Sequence, residues 1–431
     1  MKKIQMPNTA SNIRLVTTTI SRLVLLSLAA SYFAFSLSAR TAREFADDYA
    51  INWTAAKALT RGASVYDNAA MRRLALEQVG NEKMRGLFSS TYSSFIGLPS
   101  TALLYLPFTV FDFNSGLWVY RVTIGLAMVG SVWIASLALP QEDRLDAISL
   151  AAIILLSSTA THSSLQLGQV DGWIMVGIGI AIWGASKGRW TIAGIGIAVA
   201  ALLKISPLVI AVYLLMRGKW QAALSTALSI TVVFSALLMI GRGNDLITFA
   251  TVIFPAVSQG TLWNQNQSGV AWIGRIVSSQ TDFISAPPTI DPSIRAAGMM
   301  VLAMLLFALW IVRRGKEVEP SEIALVVIAA LLTAPLTWEH YVTWSVIGLM
   351  TLCRRSMWRA LGDSTLVIFM LIVFGAVLII LPTVGFSPDT IHRQEWFRFL
   401  TGTLTIGLLA WLIAGWRLIR TSNLSLEARR I

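Results

Sequence analysis

The sequence has little charge, one cysteine and few histidines, and each scarcity excludes a class of protein. Only 13% of its 431 residues are charged, against roughly 25% in soluble domains. The single Cys353 cannot form an internal disulfide. His162, His340 and His392 lack the i, i+4 spacing of a helical zinc site. Neither a disulfide framework nor a Cys/His metal site is therefore expected.

Motifs for nucleotides and for a serine nucleophile are also missing. The chain has no P-loop, no G-x-G-x-x-G pattern after a strand and no serine nucleophile elbow. Its formal net charge of +12 could indicate nucleic-acid binding, but the lysines and arginines form small clusters between apolar runs. Such clusters are typical of anchoring at a cytoplasmic membrane surface, so no nucleic-acid partner is expected.

Hydrophobic residues are what the sequence has in excess, at 55% of the chain. A chain of this composition has lipid as its main solvent, which predicts an all-α, polytopic transmembrane bundle formed by a single integral membrane domain, residues 1–431. About twelve spans are predicted, at 20–38, 114–139, 147–163, 168–186, 191–203, 205–216, 221–240, 296–312, 321–335, 340–353, 364–382 and 397–418.

The first apolar run, "LVLLSLAASYFAFSLSA" (23–39), follows Lys2, Lys3, Arg14 and Arg22 and has the small residues of a signal-peptide cleavage site near its end. An uncleaved first span is favoured instead. The basic stretch is long, the run approaches the roughly 20 residues that cross a bilayer, and the chain that follows is itself apolar.

Short basic loops set the predicted orientation. The positive-inside bias places them in the cytoplasm together with both chain termini. These loops are "KGRW" (187–190), "RGKW" (217–220), "RRGKE" (313–317), "CRRSMWR" (353–359) and the tail "EARRI" (427–431). The two long polar loops, 39–113 and 241–295, and the turns at 165–172, 204–207 and 333–341 then all lie on the outer, periplasmic face.

This topology requires two irregular features. Residues 191–216 must form two short helices that meet near "KISP" (204–207), where Pro207 favours a break. The segment "GLPSTALLYLPFTVF" (97–111) must lie along the outer surface as an interfacial helix, since a full crossing would invert every later loop. Small residues are expected to allow close helix packing at Gly177, Gly179, Gly194 and Gly196.

Adjacent acids open the first outer loop, in "FADDYAINWTAAKAL" (45–59). Helical periodicity runs from Tyr49 onward, so Asp47 and Asp48 could be the N-cap of a helix, where the helix dipole favours carboxylates. The alternative is a general base that is partly desolvated by Tyr49 and Trp53 and accepts a proton from an attacking hydroxyl.

Lys204 lies in an outer turn with apolar sequence on both sides. A lysine within a membrane domain is a functional candidate because its burial is costly unless it is paired. It could instead extend to the interface or pair with a structural partner such as Asp171. The functional alternative is that Lys204 binds a phosphate on a lipid substrate.

The remaining candidates lie in other outer turns. Glu339 and His340 are consecutive in "TWEHY" and need not form a working pair, since neighbouring residues do not share a helical face. They could equally belong to an interfacial aromatic belt. The amide-rich loop "WNQNQS" (263–268) is suited to hydrogen bonds with polyol hydroxyls, and "LGQVDG" (167–172) adds Gln169 and Asp171.

Taken in order, these segments resemble the polytopic glycosyltransferases of family 87, within the GT-C superfamily that uses polyprenyl-phosphate sugars. The segments that carry the resemblance are "DYAINWTAAKALTRGASVYD" (48–67), "LPSTALLYLPF" (98–108), "GQV" (168–170), "AGIGIAVAALLKISP" (193–207), "NQS" (266–268) and "WEHY" (338–341). They cover most of the chain. The sequence departs from the family pattern at Asn52, where tyrosine is frequent, and at "FIGLPS" (95–100), which replaces a Tyr-Pro-Pro start. Both departures concern the sugar or the acceptor.

The resemblance implies inverting transfer of a hexose, with mannose the expected sugar, from a polyprenyl-phosphate donor to a glycan or glycolipid acceptor of the cell envelope. It aligns Asp48, rather than Asp47, with the acid that acts as general base, and it assigns Lys204 to the donor phosphate. Residues implied to line the sugar or acceptor site are Asp47, Gln169, Asn266, Gln267, Glu339 and His340.

The expected location is the bacterial inner membrane, with the active site facing the periplasm and membrane lipids around the bundle. No cofactor is assigned from the sequence, and the adjacent acids in the outer loop leave a divalent cation open. A transporter or flippase of lipid-linked sugars is the main rival, and it predicts internal repeats and charges at mid-membrane. A non-catalytic envelope-assembly protein is the other, and it would tolerate loss of Asp48.

Overall fold

The computed structural model describes residues 9–43, 45–79, 86–285, 287–352, 354, 358, 365–380 and 397–428. Cys353 and His392 lie outside these ranges, as do most of the basic loop 353–359 and the end of the tail. Within the described ranges the chain is helical, and its β-structure amounts to one isolated antiparallel bridge between Asn266 and Trp338. The predicted all-α class is confirmed.

A helix forms in each apolar run that the sequence predicts. The α-helices are α1 (Thr9–Arg43), α2 (Asp47–Thr60), α3 (Asn68–Val79), α4 (Pro99–Tyr105), α5 (Phe113–Ser136), α6 (Gln141–Ser157), α7 (Thr159–Leu167), α8 (Asp171–Ser186), α9 (Trp190–Ala201), α10 (Leu208–Met216), α11 (Trp220–Met239), α12 (Gly243–Thr248), α13 (Phe254–Ser258), α14 (Gly269–Val277), α15 (Pro292–Arg313), α16 (Pro320–Thr333), α17 (Thr343–Thr351), α18 (Thr365–Ile380), α19 (Phe397–Leu400) and α20 (Thr403–Ala428). Tighter 3₁₀ turns form at Thr91–Ser93, Leu106–Val110 and Glu339–Val342.

Five helices of the described chain are long and apolar enough to cross a membrane, namely α1, α5, α11, α15 and α20. A sixth span results if α6 and α7, which are bent by 64° at Ser158, are counted together. Other apolar helices, such as α8, α9, α16 and α18, are shorter. The chain is therefore a multi-pass membrane protein, and the count of about twelve spans stays a prediction.

The predicted break near "KISP" is confirmed. Helix α9 ends at Ala201, and α10 begins at Leu208 after Pro207 as its N-cap residue, so Lys204 lies in the connecting turn. The hydroxyls of Ser100 and Thr101 on α4 donate to backbone carbonyls of this turn. With seven residues, α4 extends only about 10 Å, so it is too short to cross a bilayer. Its contacts place it against the turn that carries Lys204.

Close helix packing at glycine residues, which the sequence predicts, positions the turn that carries Lys204. A Cβ atom added to Gly177 of α8 would lie 2.6 Å from the carbonyl oxygen of Gly196 on α9, and the reverse substitution meets the Gly177 carbonyl at 2.6 Å. On the other side of α9, a Cβ at Gly194 would lie 2.2 Å from the Ala222 carbonyl oxygen of α11. Only glycine permits these backbones to approach so closely.

Basic loops and outer turns collect at opposite ends of α10 and α16. At one end, Glu322 at the start of α16 accepts from Arg313 at 2.9 Å, and its second oxygen lies 3.0 Å from Nε of Arg217. Arg354 joins this ion cluster through Glu319 at 3.7 Å. At the other end of both helices, the turns that the sequence assigns to the outer face surround a cavity.

Candidate active site

A cavity of about 840 Å³ opens at the end of the bundle opposite the ion cluster. It is lined by residues from segments 45–52, 87–101, 163–170, 203–204, 263–265 and 338–340, which are distant in sequence. Of the site residues predicted from the sequence, those that line the cavity are Asp47, Asp48, Gln169, Lys204, Glu339 and His340. Asn266 and Gln267 do not line it.

Helix α2 carries both acids, but neither is its N-cap. The cap residue is Ala46, which makes no side-chain capping bond, and the helix begins at Asp47 rather than Tyr49. The N-cap interpretation is therefore wrong: both acids lie in the first helical turn, where the dipole still favours negative charge. Asp47 is exposed, whereas Asp48 is half-buried at the cavity wall.

The environment of Asp48 tunes its acidity. Burial raises the pKa of this carboxyl to about 6, while attraction to Lys204 and a hydrogen bond from Gln169 lower it and the neighbouring charge of Asp47 raises it. The carboxylate is therefore largely ionised at pH 7, yet it is a much stronger base than an exposed aspartate. A group with this pKa can accept a proton near neutral pH.

Gln169 reaches Asp48 because of the glycine that precedes it. Gly168 ends α7 in the left-handed conformation, with φ of 70°, and a Cβ atom there would lie 2.7 Å from Cβ of Tyr49. The turn thus packs directly on α2. The hydroxyl of Tyr105 donates to the Gly168 carbonyl at 2.8 Å and anchors the turn further. This contact explains why a glycine precedes Gln169 in the "GQV" motif.

Lys204 is held by Tyr341, a partner that the sequence did not indicate. Its Nζ donates to the Tyr341 hydroxyl at 2.7 Å and lies 4.7 Å from the centre of that ring. Tyr341 stacks on Trp344 at 4.7 Å, and the indole N–H of Trp344 donates to Asp171 at 2.8 Å. Asp171 is fully buried and also accepts from Ser164. Asp171 therefore supports Lys204 through this chain of contacts.

Glu339 and His340 occupy different environments, as neighbours on a tight turn should. His340 is 4% exposed, and its Nε2 has no hydrogen-bond partner among the described residues. Burial, together with repulsion from Lys204, holds the pKa of His340 well below its usual range, so the ring is neutral. Because His340 lines the cavity, its Nε2 can form a hydrogen bond with a ligand.

The amide-rich loop has a structural role at two of its positions. Asn266 is fully buried; its Nδ2 donates to the carbonyls of Thr261 and Pro335, and its Oδ1 accepts from the N–H of Thr337. Gln267 is also buried and donates to two backbone carbonyls. Their expected role in lining the site is corrected accordingly, because neither residue lines the cavity and the side-chain N–H groups of both donate to backbone carbonyls.

A buried arginine that the sequence analysis missed completes this junction. Arg275 on α14 has no exposed surface and donates to the carbonyls of Trp263 and Asn266 and to the hydroxyl of Thr401. It lies in the apolar segment "GVAWIGRIV" (269–277). An arginine inside an apolar run was the available signal, since such a residue must find several acceptors.

Aromatic residues of the cavity were also missed. Tyr92, Trp263 and Trp338 lie on three different segments, and all three are half-buried at the cavity. Tyr92 and Trp263 each contact Trp338, with ring centres 5.7 and 5.6 Å apart. Two of these residues belong to quoted motifs, but the third, Tyr92, has no sequence signal that we recognise.

No three His, Cys, Asp or Glu side chains come together as a metal site in the part of the chain that the structure describes. The acids at the cavity are Asp47, Asp48 and Glu339. Lys204 is the one lysine or arginine among the described residues that line it. The arrangement combines a half-buried carboxylate, a cation and a neutral histidine.

Comparison with known proteins finds similar mannosyltransferases. The chain is 24% identical over 260 residues to a polyprenol-phosphate-mannose-dependent alpha-(1-2)-phosphatidylinositol pentamannoside mannosyltransferase of Mycolicibacterium smegmatis, which covers 59% of this chain and 60% of the relative. It is 24% identical over 341 residues to the protein of the same description from Mycobacterium tuberculosis, a match that covers 75% of this chain and 74% of the relative. A polyprenol-phosphate-mannose-dependent alpha-(1-2)-phosphatidylinositol mannoside mannosyltransferase of Mycobacterium tuberculosis is 25% identical over 358 residues, covering 77% and 76%.

A family profile gives the most direct assignment. Glycosyltransferase family 87 matches residues 95–338, which is more than half of the chain. The matched region contains Gln169 and Lys204 and ends at Trp338, so it includes three of the segments that line the cavity in full and parts of others. The chain belongs to glycosyltransferase family 87.

Proposed function

We propose that this protein transfers a hexose, with mannose the first candidate, from a polyprenyl-phosphate donor to a hydroxyl of an envelope glycan or glycolipid, with inversion at the anomeric carbon. The observation that carries the proposal is that Asp48, a half-buried base, and Lys204, a cation, line one cavity of about 840 Å³. The donor class is supported by the descriptions of the relatives, which name polyprenol-phosphate mannose.

In this scheme Asp48 is the general base. It takes the proton of the acceptor hydroxyl as that oxygen attacks the anomeric carbon from the side opposite the phosphate. The bond between the anomeric carbon and the phosphate oxygen breaks, and its electron pair leaves with the polyprenyl phosphate. Asp48 then releases its proton to water. Attack from the opposite side accounts for the inversion.

Lys204 stabilises the charge that develops on the departing phosphate. Tyr341 holds its ammonium group in place with the 2.7 Å hydrogen bond. Gln169 donates to Asp48 and keeps the carboxylate oriented. Asp47, Glu339 and the neutral His340 line the space for sugar and acceptor hydroxyls. Asn266 acts indirectly, because it joins its own loop to the turn that carries Trp338, and Gln267 fastens the same loop to Thr401.

The scheme uses no metal ion. Should transfer need a divalent cation, Asp47 and the phosphate of the donor are the groups that would bind it. The chemistry of Asp48 is the same in either case, since its task is to accept a proton from the acceptor hydroxyl.

The proposed location is the bacterial inner membrane, with the cavity open to the periplasm. The support is the separation of charge along the bundle. Loops at 217–220 and 313–317 meet at the ion cluster, while the cavity lies at the far end of α10 and α16. The positive-inside bias puts the basic end in the cytoplasm. A donor that is already on the outer face needs no nucleotide fold.

A transfer assay with a matched charge control tests the proposal. Membranes containing the wild type, Asp48→Asn or Glu77→Gln receive radiolabelled polyprenyl-phosphate mannose and an envelope acceptor extract. Glu77 is an exposed acid of the same outer loop that pairs with Arg61 at the surface, so its neutralisation should leave transfer unchanged. Asp48→Asn should reduce transfer at least about a hundredfold, because a general base contributes roughly 10²–10⁴ in rate.

Two results would count against the proposal in different ways. Wild-type rates from folded Asp48→Asn would show that this carboxylate is not the base. If the wild type transfers no label from polyprenyl-phosphate mannose, glucose or galactose, the enzymatic proposal fails, and a carrier of lipid-linked sugars or an envelope-assembly protein takes its place.

A further inference from the structure

Three aromatic rings form one wall of the cavity, and the proposed mechanism does not use them. Tyr92 comes from the 3₁₀ turn Thr91–Ser93, Trp263 from the loop after α13, and Trp338 from the turn after α16. We refer to these three residues as the aromatic cluster. Each ring is half-buried, so each retains surface that faces the cavity.

The rings of the aromatic cluster meet edge to face. Tyr92 and Trp263 are both perpendicular to Trp338, at interplanar angles of 90° and 89°. In each such pair, the ring that contributes its edge keeps both of its faces out of the contact. The negative π face of an aromatic ring attracts the weakly positive C–H groups on the apolar face of a pyranose.

Backbone bonds hold the cluster in position before any ligand arrives. The N–H of Glu339 donates to the carbonyl of Gln265 at 3.0 Å, and Asn266 pairs with Trp338 in the isolated bridge. Arg275 donates to the Trp263 carbonyl at 3.0 Å. These bonds connect the loops that carry two of the rings, so the rings are preorganised.

Charge decides which substrate this wall can take. Lys204, the one lysine or arginine among the described residues lining the cavity, is in the part near Asp48 and Gln169. Its Nζ donates to the hydroxyl of Tyr341, three residues after Trp338, and Glu339 is the direct neighbour of Trp338 in the chain. The donor phosphate is therefore assigned to Lys204, while the neutral hydroxyls of a sugar ring at the aromatic cluster can donate to the carboxylate of Glu339.

We propose that the aromatic cluster is the acceptor subsite and binds a neutral hexopyranose ring by stacking, with Trp338 as the central contact. This inference rests on the proposed function and adds to it the chemical class of the acceptor: an uncharged sugar ring next to the attacking hydroxyl. Glu339 and the exposed amide of Gln265 border the subsite and supply hydrogen bonds to sugar hydroxyls.

Steady-state kinetics on the full chain in lipid nanodiscs provide the first test. The probes are polyprenyl-phosphate mannose as donor and octyl α-D-mannopyranoside as a neutral acceptor. Trp338→Ala should raise the acceptor KM roughly five- to tenfold while kcat and the donor KM stay within about twofold. Trp338→Phe keeps an aromatic face and should recover most of the affinity.

Further variants separate stacking from misfolding. Tyr92→Ala removes a ring from a short surface turn and should raise the acceptor KM in the same direction. Trp133→Ala removes an indole that is 61% exposed on α5 and does not line the cavity, so it should behave like the wild type. If Trp338→Ala and Tyr92→Ala leave the acceptor KM unchanged, or raise the donor KM equally, the subsite assignment is wrong.

Saturation-transfer NMR with octyl α-D-mannopyranoside distinguishes failure of the subsite from failure of the proposed function, since binding needs no turnover. Saturation of aromatic protons should reach the sugar ring in the wild type and Trp133→Ala, and should be lost in Trp338→Ala. This result without any transfer would uphold the subsite and contradict the proposed function. Normal transfer with equal saturation in all variants would uphold the proposed function and contradict the subsite.

Discussion

At the scale of single residues, Asp48 and Lys204 depend on neighbours that contribute no chemistry of their own. Asp48 owes its raised pKa of about 6 chiefly to burial, and Gln169 and Lys204 limit the rise. Lys204 in turn is held by a hydroxyl, a ring and the buried Asp171 behind them. Substitution of positioning residues of this kind should change the KM for the donor more than it changes the stability of the fold.

Replacement of Tyr341 by phenylalanine tests that expectation. The ring remains, so the cation–π contact survives, but the hydroxyl that accepts from Lys204 at 2.7 Å is lost. Because a hydrogen bond to a charged group contributes about 1.5–3 kcal/mol, the donor KM should rise about tenfold or more, with little change in the acceptor KM. Initial rates at varied donor concentration measure this.

Tyr213→Phe is the matched control. The Tyr213 hydroxyl also donates to a charged group, Glu322, but at the ion cluster away from the cavity. It should lower thermal stability and leave the donor KM unchanged. Equal donor KM values in Tyr341→Phe and the wild type would show that Lys204 does not need this partner, or does not meet the donor.

At the scale of elements, short irregular segments position the site, while the long helices supply the frame. The Gly168 turn after α7 presents Gln169 to α2, and the turn between α9 and α10 presents Lys204. Both turns lie against α2 or α4, which belong to the polar segment 39–113. A change at either turn should therefore affect catalysis even without touching a reacting group.

Gly168→Ala should combine backbone strain with a clash. Its φ of 70° disfavours a side chain, and the new Cβ would lie 2.7 Å from Cβ of Tyr49 on the helix that carries Asp48. Strain of this kind costs on the order of 1–3 kcal/mol, so both the melting temperature and kcat should fall.

Gly188→Ala separates the two effects. Gly188 has a φ of 65° but nothing within 4 Å of its added Cβ. The Gly188→Ala variant should lose some stability from strain alone, and its kcat should stay at the wild-type value. The interpretation of the Gly168 turn fails if the two variants lose kcat to the same extent, as measured by transfer assays on folded protein.

At the scale of the whole molecule, the sequence predicted the frame better than the cavity wall. Apolar runs and the break at Pro207 are local signals, and each has its counterpart in the described helices. Contacts between distant loops have no local signal. Tyr341 is 137 positions from Lys204, and in "NQNQ" the amide that lines the cavity is Gln265, while Asn266 and Gln267 point into the loop junction.

Distant segments converge on Asp48, and the pH dependence of transfer tests whether this carboxylate is the base. A carboxylate base works only when ionised, so kcat/KM should fall about tenfold per pH unit well below the pKa. In the wild type the fall should begin near pH 6, the pKa to which burial raises Asp48. In Asp47→Asn it should begin at lower pH, because the neighbouring charge that raises this pKa is gone.

The decisive measurement is the pH profile of kcat/KM, recorded from about pH 4.5 to about pH 8.5. It is recorded for the wild type, for Asp47→Asn and, from its residual activity, for Asp48→Asn. We expect an acidic limb near pH 6 in the wild type, a limb at lower pH in Asp47→Asn, and no such limb in Asp48→Asn. An unchanged limb near pH 6 in Asp48→Asn would contradict this expectation, because another group would then be the base.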